Sequence, residues 1–275
     1  MLAFLQNFFT KHHLDCTAAI RLSDCRIERP YLLERVGISD GTAILIAVPY
    51  HTAACDDRER NISAYAVPRD YHGYFKMLFD ELIPSLEKAF PEHKFAGFAD
   101  HSPIAEVEAS AKAGLGIIGK NHLLITEKYS SYIFLGEVIT NALLPCKTEE
   151  KRFCEDCGAC LAACPMNEIG TCLSALTQKK GELTNEEEAT LRRYGSAWGC
   201  DLCQEICPHT KAAKHNGTLH SPIPYFSEAT IPVLTLEALD NMDDETFATR
   251  AYAWRGRPTI RRNLCILKDD KGGND

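Results

Sequence analysis

Eight cysteines lie between Cys154 and Cys207, and seven of them form two closely spaced blocks. The first block reads Cys-x2-Cys-x2-Cys-x3-Cys-Pro and begins at Cys154, and the second reads Cys-x2-Cys-x3-Cys-Pro and ends with Cys207 and its proline. The first pattern is the complete ligand run of bacterial ferredoxins, whose short loops place thiolates at the corners of a [4Fe–4S] cluster. The spacing therefore predicts a ferredoxin-like segment that carries electrons.

In ferredoxins with two clusters, the cysteine that precedes the proline binds the more distant cluster. Applied to this chain, the rule predicts two interleaved sets of ligands. The first cluster takes Cys154, Cys157, Cys160 and Cys207. The second cluster takes Cys164, Cys200 and Cys203 and needs one more thiolate, for which the nearest unused cysteine is Cys172.

Zinc and disulfide bonds are the alternatives for these cysteines. Eight thiolates could bind two zinc ions, but the first block is an unusual pattern for zinc. Disulfides fit poorly, because the total of 13 cysteines is odd and the N-terminus lacks the basic and apolar regions of a signal peptide. We interpret the five scattered cysteines as reduced thiols in a cytosolic protein, and they are Cys16, Cys25, Cys55, Cys146 and Cys265.

Composition excludes some classes of protein. Of the 275 residues, 45% are hydrophobic and 25% are charged, as is usual for soluble globular proteins. No run approaches the ~20 apolar residues of a membrane-spanning helix, so we expect a cytoplasmic protein without a membrane partner. A net charge of −8 argues against nonspecific nucleic-acid binding. The densest positive segment is a C-terminal group of five arginines, which is the best local candidate for contact with a polyanion.

Periodicity and turn signals outline the rest of the chain. Apolar spacing predicts helices within 1–14, 71–90, 104–113 and 185–193, and strands at 43–48, 95–99, 123–125 and 132–139. For the helix within 104–113 we expect Ser102 as N-cap and Pro103 at the first position. The predicted fold class is α+β, with an N-terminal mixed α/β domain followed by a two-cluster ferredoxin-like module. The expected boundaries are 1–145, 146–215 and a C-terminal segment, 216–275, that packs back on the core with a frayed tail.

The glycine-rich segment 114–121 matches two phosphate-loop patterns, GxGxxG and GxxxxGK. Both patterns require a strand before the glycines and a helix after them. Here the preceding segment is predicted to be helical and the following one to be a strand. The sequence therefore favours a tight helix-to-strand turn over a nucleotide site, with glycines that allow a backbone or ligand to come close.

Several blocks of the chain together resemble one family, the epoxyqueuosine reductases, which are cobalamin- and iron–sulfur-dependent enzymes of queuosine synthesis in tRNA. The blocks occur in the family's order over roughly residues 43–210. In addition to the first cysteine block they are 69–72, 100–103, 113–121, 134–140, 172–177 and 198–208.

The resemblance implies a cobalamin-binding α/β domain beside the two-cluster module. It supports Cys172 as the missing ligand. It implies that Asp100 donates a proton, provided that burial keeps its carboxyl protonated, whereas the residues alone favour a helix-capping role. The cobalamin contacts that follow from the matching blocks are Gly119, Lys120, Asn121, Ser174 and Asp201.

The implied reaction converts epoxyqueuosine to queuosine in tRNA, with an external donor such as flavodoxin or ferredoxin and a monomeric enzyme. We expect the anticodon stem-loop to contact Arg255, Arg257, Arg261 and Arg262, assisted by Lys179 and Lys180. The alternative is that these arginines pair with nearby acids such as Asp243, Asp244 and Glu245. Two other functions stay open: a corrinoid and iron–sulfur reductase for another small substrate, and a non-enzymatic ferredoxin-like electron carrier for a partner protein.

Overall fold

The structure, a computed structural model, describes residues 1–166 and 172–269. The chain divides into two compact units, each assembled from separate segments. The first unit comprises Met1–Pro49, Tyr71–Gly158 and Pro208–Ile223, and the second comprises Tyr50–Asp70, Ala159–Cys207 and Pro224–Asp275. These units cross the boundaries 1–145, 146–215 and 216–275, so that division into functional modules stays a prediction. Over the described ranges, no helix has the length and apolar character needed to cross a membrane.

An antiparallel sheet of four strands forms the centre of the first unit. β1 (Thr17–Arg21) pairs with β2 (Thr42–Pro49), β2 pairs with β6 (Ile133–Thr140), and β6 pairs with β3 (Phe95–Phe98). The short strands β4 (Ile117–Ile118) and β5 (Leu124–Ile125) form a separate hairpin. Every residue of β2 is buried, which explains why its sequence is a continuous apolar run.

The helices are mostly short. In the first unit they are α1 (Leu2–Lys11), α2 (Pro30–Val36), α3 (Tyr71–Ala89), α4 (Glu106–Lys112) and α9 (Pro208–His215). In the second unit they are α5 (Ala159–Ala163), α6 (Leu173–Thr177), α7 (Asn185–Tyr194), α8 (Leu202–Glu205), α10 (Pro224–Ser227), α11 (Leu236–Asn241), α12 (Asp244–Ala248) and α13 (Arg257–Asp269). Single 3₁₀ turns lie at Leu22–Asp24, Ala53–Asp56, Ala64–Ala66 and Ala253–Arg255.

The predicted start of α4 is wrong. The helix begins at Glu106, its N-cap is Ala105, and no side chain caps it. Ser102 is committed elsewhere, because its hydroxyl donates to Glu137 and accepts from the amide of Ile104 at 3.0 Å. Tertiary hydrogen bonds thus hold Ser102 in the loop before the helix, where a local capping rule would have placed it at the helix end.

The second unit is a helical assembly around a small apolar core. α13 packs against α6, α7 and α11. The buried members of the core are Met166, Leu173, Leu176, Leu183, Leu191 and Ile266. Asn263 joins two chain segments here, since its side-chain amide donates to the carbonyls of Thr177 and Ala197 at 2.7 and 2.8 Å. α7 begins with a capping box between Thr184 and Glu187, as its acidic first turn favours.

Candidate functional site

Asp100 lies on a sharp turn directly after β3, in the first unit. Its φ of +64° is a left-handed conformation that residues other than glycine adopt infrequently, although aspartate tolerates it better than most. The side chain is 70% exposed, and its Oδ2 lies 3.9 Å from Nε2 of His72. The next residue, His101, forms a 2.7 Å hydrogen bond through Nε2 with the hydroxyl of Tyr31. The exposed carboxyl thus has one imidazole nearby, that of His72.

The burial expected of Asp100 is not present. The carboxyl is 70% exposed, so the expectation that it is buried is wrong for the chain alone. The reason is local: the left-handed turn directs the side chain outward, while the residues that follow, Ser102 to Ala105, are buried. A bound substrate would have to supply the missing cover.

Two acids that the sequence analysis missed lie close to this loop. Glu137 of β6 is fully buried and accepts from the hydroxyl of Ser102, and the partly buried Glu106 is the first residue of α4. Burial raises the pKa of Glu106 to about 7, and the nearby charge of Asp100 adds to the rise. Burial also raises the pKa of Glu137 well above its usual value, with Glu106 contributing. An available signal was the acid itself, which interrupts the apolar strand Ile133–Thr140.

The predicted cofactor residues Gly119, Lys120 and Asn121 form the turn of the β4–β5 hairpin. The amide of Gly119 donates to the carbonyl of Leu123 at 2.9 Å, and a Cβ at this glycine would meet Asn121 Oδ1 at 2.3 Å. Because α4 precedes and β5 follows this segment, the expected helix-to-strand order is confirmed and a phosphate loop is excluded. A side chain at position 119 would therefore have to displace the side chain of Asn121.

The same hairpin contacts the first predicted cluster ligand. The backbone amide of Lys120 donates to Sγ of Cys154 at 3.3 Å, and the amide of Cys154 donates to the carbonyl of Ile118 at 3.0 Å. The ammonium of Lys120 pairs with Asp156 at 3.0 Å. A backbone donor is thus positioned beside this sulfur, and donors of this kind tune the potential of a sulfur-ligated cluster.

Cys164, Cys172, Cys200 and Cys203 all belong to the second unit. Burial raises the pKa of Cys200 to about 12, and the charges of Cys203 and Cys172 add to the rise. Cys164 and Cys200 pack against the same apolar core. This is the ligand set predicted for the second cluster, although the chain between Cys164 and Cys172 includes residues 167–171, outside the described ranges.

The other predicted ligand set is divided between the units. Cys154 and Cys157 belong to the first unit, and Cys160 and Cys207 belong to the second. Among the described residues, which include all 13 cysteines, no disulfide bond is formed. The assignment of the first cluster therefore stays a prediction from spacing.

Asp201, in the second unit, has several polar partners. Its carboxylate is almost completely buried and pairs with the guanidinium of Arg60 at 2.6 Å. It also accepts from the hydroxyl of Ser63 at 2.5 Å and from the amide of Ala64 at 2.6 Å. These contacts fix the segment that carries Cys200 and Cys203, so a structural role accounts for Asp201, and its predicted contact with cobalamin stays a prediction.

Ser174 lies on α6, in the helical turn after Cys172. Its hydroxyl accepts from the side-chain amide of Gln178 at 3.1 Å, and its carbonyl accepts from the hydroxyl of Thr177 at 2.7 Å. The same Thr177 hydroxyl accepts from the amide of Gly199 at 2.9 Å. Ser174 therefore belongs to a local network beside the cysteines, and its predicted cofactor contact stays untested.

Most of the predicted tRNA-binding arginines are engaged within the protein. Arg257 donates to the carbonyls of Leu239 and Met242 at 2.8 and 2.7 Å and stacks on Phe247. The other contacts are Arg257 to Asp244, Arg261 to Asp240, Arg262 to Lys179 and Gly181, and Lys179 to Glu187. The structure thus favours the alternative for these side chains, in which they pair internally, although Arg261 uses Asp240 and not the acids expected.

Comparison with known proteins places these features in context. A scan against protein-family models finds no match. The chain is 30% identical over 240 residues to the epoxyqueuosine reductase of Lactococcus garvieae, which covers 81% of this chain and 67% of the relative. It is 31% identical over 208 residues to the epoxyqueuosine reductase of Listeria monocytogenes, covering 72% of this chain and 54% of that relative. The chain thus spans between half and two thirds of the length of these relatives.

The fold is similar to solved structures. The epoxyqueuosine reductase of Streptococcus thermophilus matches over 100% of this chain and 86% of its own, with a TM-score of 0.79 and 22% identity. A crystal structure of epoxyqueuosine reductase with an epoxyqueuosine-modified tRNA-Tyr stem loop matches over 97% of this chain and 81% of its own, with a TM-score of 0.73 and 22% identity. The mixed α/β fold is therefore shared with these proteins.

Proposed function

Because the chain belongs to the epoxyqueuosine reductase family, we propose that it is an oxidoreductase that converts epoxyqueuosine to queuosine in tRNA, with cobalamin and two [4Fe–4S] clusters. The observation that carries the proposal is the sequence identity over most of the chain, together with eight cysteines in the two-cluster pattern. Removing an epoxide oxygen without replacing it by a new nucleophile consumes both electrons and protons. The cysteine-rich segment would supply the electrons, and Asp100 would supply a proton.

The second cluster fits the residues that would hold it. Cys164, Cys172, Cys200 and Cys203 offer thiolates only, which is the donor set of a [4Fe–4S] cluster. The buried ion pair of Asp201 with Arg60 fixes the segment that bears two of them. Because an iron–sulfur cluster binds deprotonated thiolates, its assembly is expected to release protons and to be favoured by higher pH.

The cobalamin contacts expected from the resemblance fit less well. The carboxylate of Asp201 is occupied by Arg60, Ser63 and Ala64. The side chain of Asn121 lies against Gly119 within its own turn. The proposal that the chain binds cobalamin therefore depends on family membership. When bound, the cofactor would supply a reduced, nucleophilic cobalt centre.

Asp100 is the proposed proton donor. Its exposed carboxyl is reachable by an epoxide carried on a large nucleic acid, and the bound nucleoside would supply the cover that the free chain lacks. A cationic His72 ring, 3.9 Å away, would stabilise the carboxylate that remains after proton transfer. In support, the Bacillus subtilis epoxyqueuosine reductase has been solved with an aspartate-bearing catalytic loop swung out of the active site.

We propose a tRNA-binding surface that contains fewer residues than the sequence predicted. Lys180 is exposed and, over the described ranges, has no ion pair. Trp254 is 61% exposed and carries the guanidinium of Arg255 at 3.9 Å from its ring centroid, which offers a flat surface for a base with a charge for a phosphate. Replacing Arg255 or Lys180 by alanine should flatten the salt dependence of tRNA affinity by roughly one unit each, whereas Arg261→Ala should leave it unchanged.

The electron donor, the oligomeric state and the cellular location complete the proposal. We propose a flavodoxin or ferredoxin as the donor, a monomeric enzyme and a cytoplasmic location. The family relationship and the thiol-rich composition support these three points.

The experiment that tests the function is anaerobic reconstitution of the full chain with iron and sulfide. Close to eight irons per chain are expected from the two-cluster ligand pattern. Cobalamin, a reductant and tRNA containing epoxyqueuosine are then added, and the nucleosides are analysed for queuosine. Cluster and cobalamin binding without queuosine would favour a reductase for another substrate, and clusters without cobalamin binding would favour an electron carrier. Two zinc ions and no sulfide would contradict the electron-transfer function.

A further inference from the structure

A cavity of about 560 Å³ lies in the first unit, where β1 ends and β2 begins. We call it the β1–β2 cavity. Its walls come from the end of β1 and the turn after it, from α2 and the residues after that helix, and from the segment that follows β6. The lining residues include neither the Asp100 turn nor a predicted cluster ligand. Small-molecule sites typically have volumes of about 300–1,000 Å³, so this cavity has the size of a ligand site.

The apolar part of the lining combines buried and exposed side chains. Leu22 and Leu33 line the cavity and belong to the hydrophobic core of this unit, so the cavity reaches that core. Leu143 and Ile27 also line it, and they are 61% and 38% exposed. An apolar ligand would remove these two side chains from water and extend the packing of the core, which is a favourable change.

Arg21, the last residue of β1, places a positive charge in the cavity. Its Nη1 is shielded from solvent and has no hydrogen-bond partner, and over the described ranges the guanidinium forms no ion pair. A guanidinium offers five N–H donors and binds a carboxylate through two parallel hydrogen bonds. A ligand carboxylate would therefore supply the acceptors that Arg21 lacks within the protein.

Asp40 places a negative charge in the same cavity. Its side chain is exposed, and its Oδ1 accepts from the amide of Gly41 at 2.7 Å. The segments that carry Arg21 and Asp40 are neighbours, because the amide of Leu22 donates to the carbonyl of Gly41 at 3.1 Å. Nevertheless, Arg21 and Asp40 form no ion pair with each other, and among the described residues no other cation pairs with Asp40. Both charges are thus available to a ligand.

Two opposite charges beside an apolar wall select a ligand that carries both charges itself. Asp40 would repel a simple anion, and Arg21 would repel a simple cation. Arg21 is paired with Thr42 in the strand register, so Asp40 is offset from it by two positions. Such diagonal positions are about 7–8 Å apart in a regular ladder. Two residues of extended chain span about 7 Å, so the termini of a dipeptide match this separation.

We propose that the β1–β2 cavity binds a short apolar peptide with free termini. The C-terminal carboxylate binds Arg21, the N-terminal ammonium binds Asp40, and the apolar side chains cover Leu143 and Ile27. This binding does not depend on the reaction at Asp100, so its failure and the failure of the proposed function are separate results.

The test is isothermal titration calorimetry of the full chain with its clusters, kept anaerobic, with the dipeptide Leu-Leu as the probe. Saturable binding of one peptide per chain is expected. N-acetyl-Leu-Leu lacks the ammonium and Leu-Leu-amide lacks the carboxylate, and each should bind roughly tenfold or more weakly. No saturable binding at a peptide concentration of ~10 mM would overturn the proposal, because it corresponds to a free energy too small for a specific site. Sodium decanoate binding as tightly as Leu-Leu would also overturn it, because decanoate has no ammonium.

Two variants locate the peptide in the cavity. Arg21→Gln and Asp40→Asn should each lower the affinity for Leu-Leu roughly tenfold. Amidation of the peptide should then cause no further loss in Arg21→Gln, and acetylation should cause none in Asp40→Asn, because the partner charge is already absent. The matched controls Arg35→Gln and Glu34→Gln change exposed residues of α2 that do not line the cavity, and they should bind as the wild type does.

The modified peptides need no variant, so they decide the question even if Arg21→Gln does not fold. Because Asp40 is exposed, Asp40→Asn provides a second variant that is expected to fold. Wild-type affinity in Asp40→Asn, or an acetylated peptide that binds the wild type as tightly as Leu-Leu, would overturn the proposal. Full additivity of each substitution with its matching peptide modification would overturn it as well, because the two groups would then not be in contact.

Discussion

Two buried acidic groups, one in each unit, are built in opposite ways. In the second unit, Asp201 is buried against the guanidinium of Arg60 at 2.6 Å, with a hydroxyl and a backbone amide as further donors. In the first unit, Glu106 and Glu137 are buried against each other, and burial raises the pKa of both. The charge of Asp201 is thus compensated by a cation, whereas Glu106 and Glu137 reduce their charge by keeping a proton.

The difference indicates a structural role for Asp201 and a chemical role for the pair of glutamates. A paired and fully hydrogen-bonded buried carboxylate fixes chain segments, and here it fixes the region of Cys200 and Cys203. An unpaired buried acid with a pKa near neutrality costs stability, and such groups concentrate at functional sites. One of the unpaired acids, Glu137, accepts a hydrogen bond from the hydroxyl of Ser102, two residues after Asp100. The contrast therefore supports the proposal that the Asp100 turn is the reactive end of the first unit.

The largest expected effect is on turnover in Asp100→Asn. The amide keeps the shape of the side chain but cannot release a proton, so the rate should fall ~10²–10⁴-fold. Because the side chain is 70% exposed, the free energy of unfolding should change by less than about 0.5 kcal/mol. Single-turnover assays and denaturant titrations measure the two effects. Wild-type turnover in this variant would return Asp100 to a local turn-forming role.

The next largest expected effect is a loss of stability in the Asp201→Ala variant. The substitution leaves the guanidinium of Arg60 buried without its partner, and breaking a buried pair costs about 3–5 kcal/mol. Glu205→Gln is the control, because Glu205 contacts the same arginine but is 50% exposed, and it should cost less than about 1 kcal/mol. Equal losses in the two variants, measured by urea unfolding, would remove the contrast between a buried and an exposed partner.

The smallest effect is the pH dependence of stability that Glu106 causes. Its native pKa is about 7 against a usual 4.5, so the folded chain keeps a proton that the unfolded chain releases. This contribution is fully present below about pH 4.5 and is lost as the pH rises to about 7. Relative to wild type, Glu106→Gln should therefore gain stability over this range, by up to about 3 kcal/mol. A stability difference that does not change with pH would contradict the raised pKa.

Much of the architecture follows from local sequence. The continuous apolar run of β2 and the periodicity of α1, α3 and α7 predicted those elements, because burial on a sheet or along one helix face fixes the pattern. β1 was missed, since Thr17–Arg21 is a partly exposed edge strand with a mixed sequence. The predicted cap at Ser102 failed because Glu137, distant in sequence, competes for its hydroxyl.

Of the candidate site, only the cysteine ligand sets could be predicted from the sequence, because they depend on residue spacing. The cysteine pattern predicts that Cys172, Cys200 and Cys203 share one cluster, because short loops limit where ligands can lie, and this grouping stays a prediction. The exposure of Asp100 and the pairing of Glu106 with Glu137 depend on packing between α4 and the sheet, which no local pattern encodes. Likewise, the C-terminal arginines form a positive cluster in sequence, yet Arg257 is held by the carbonyls of Leu239 and Met242.

The contrast between the two acidic groups is tested most directly by isotope-edited infrared spectroscopy of the full chain labelled at glutamate carboxyls. At about pH 7, close to the Glu106 pKa, the wild type should show the band of a protonated, buried glutamate, and this band should be lost in Glu137→Gln. The Glu205→Gln variant should keep the band, because that exposed acid pairs with Arg60. A wild-type spectrum in which all glutamates are ionised at about pH 6 would contradict the shared proton.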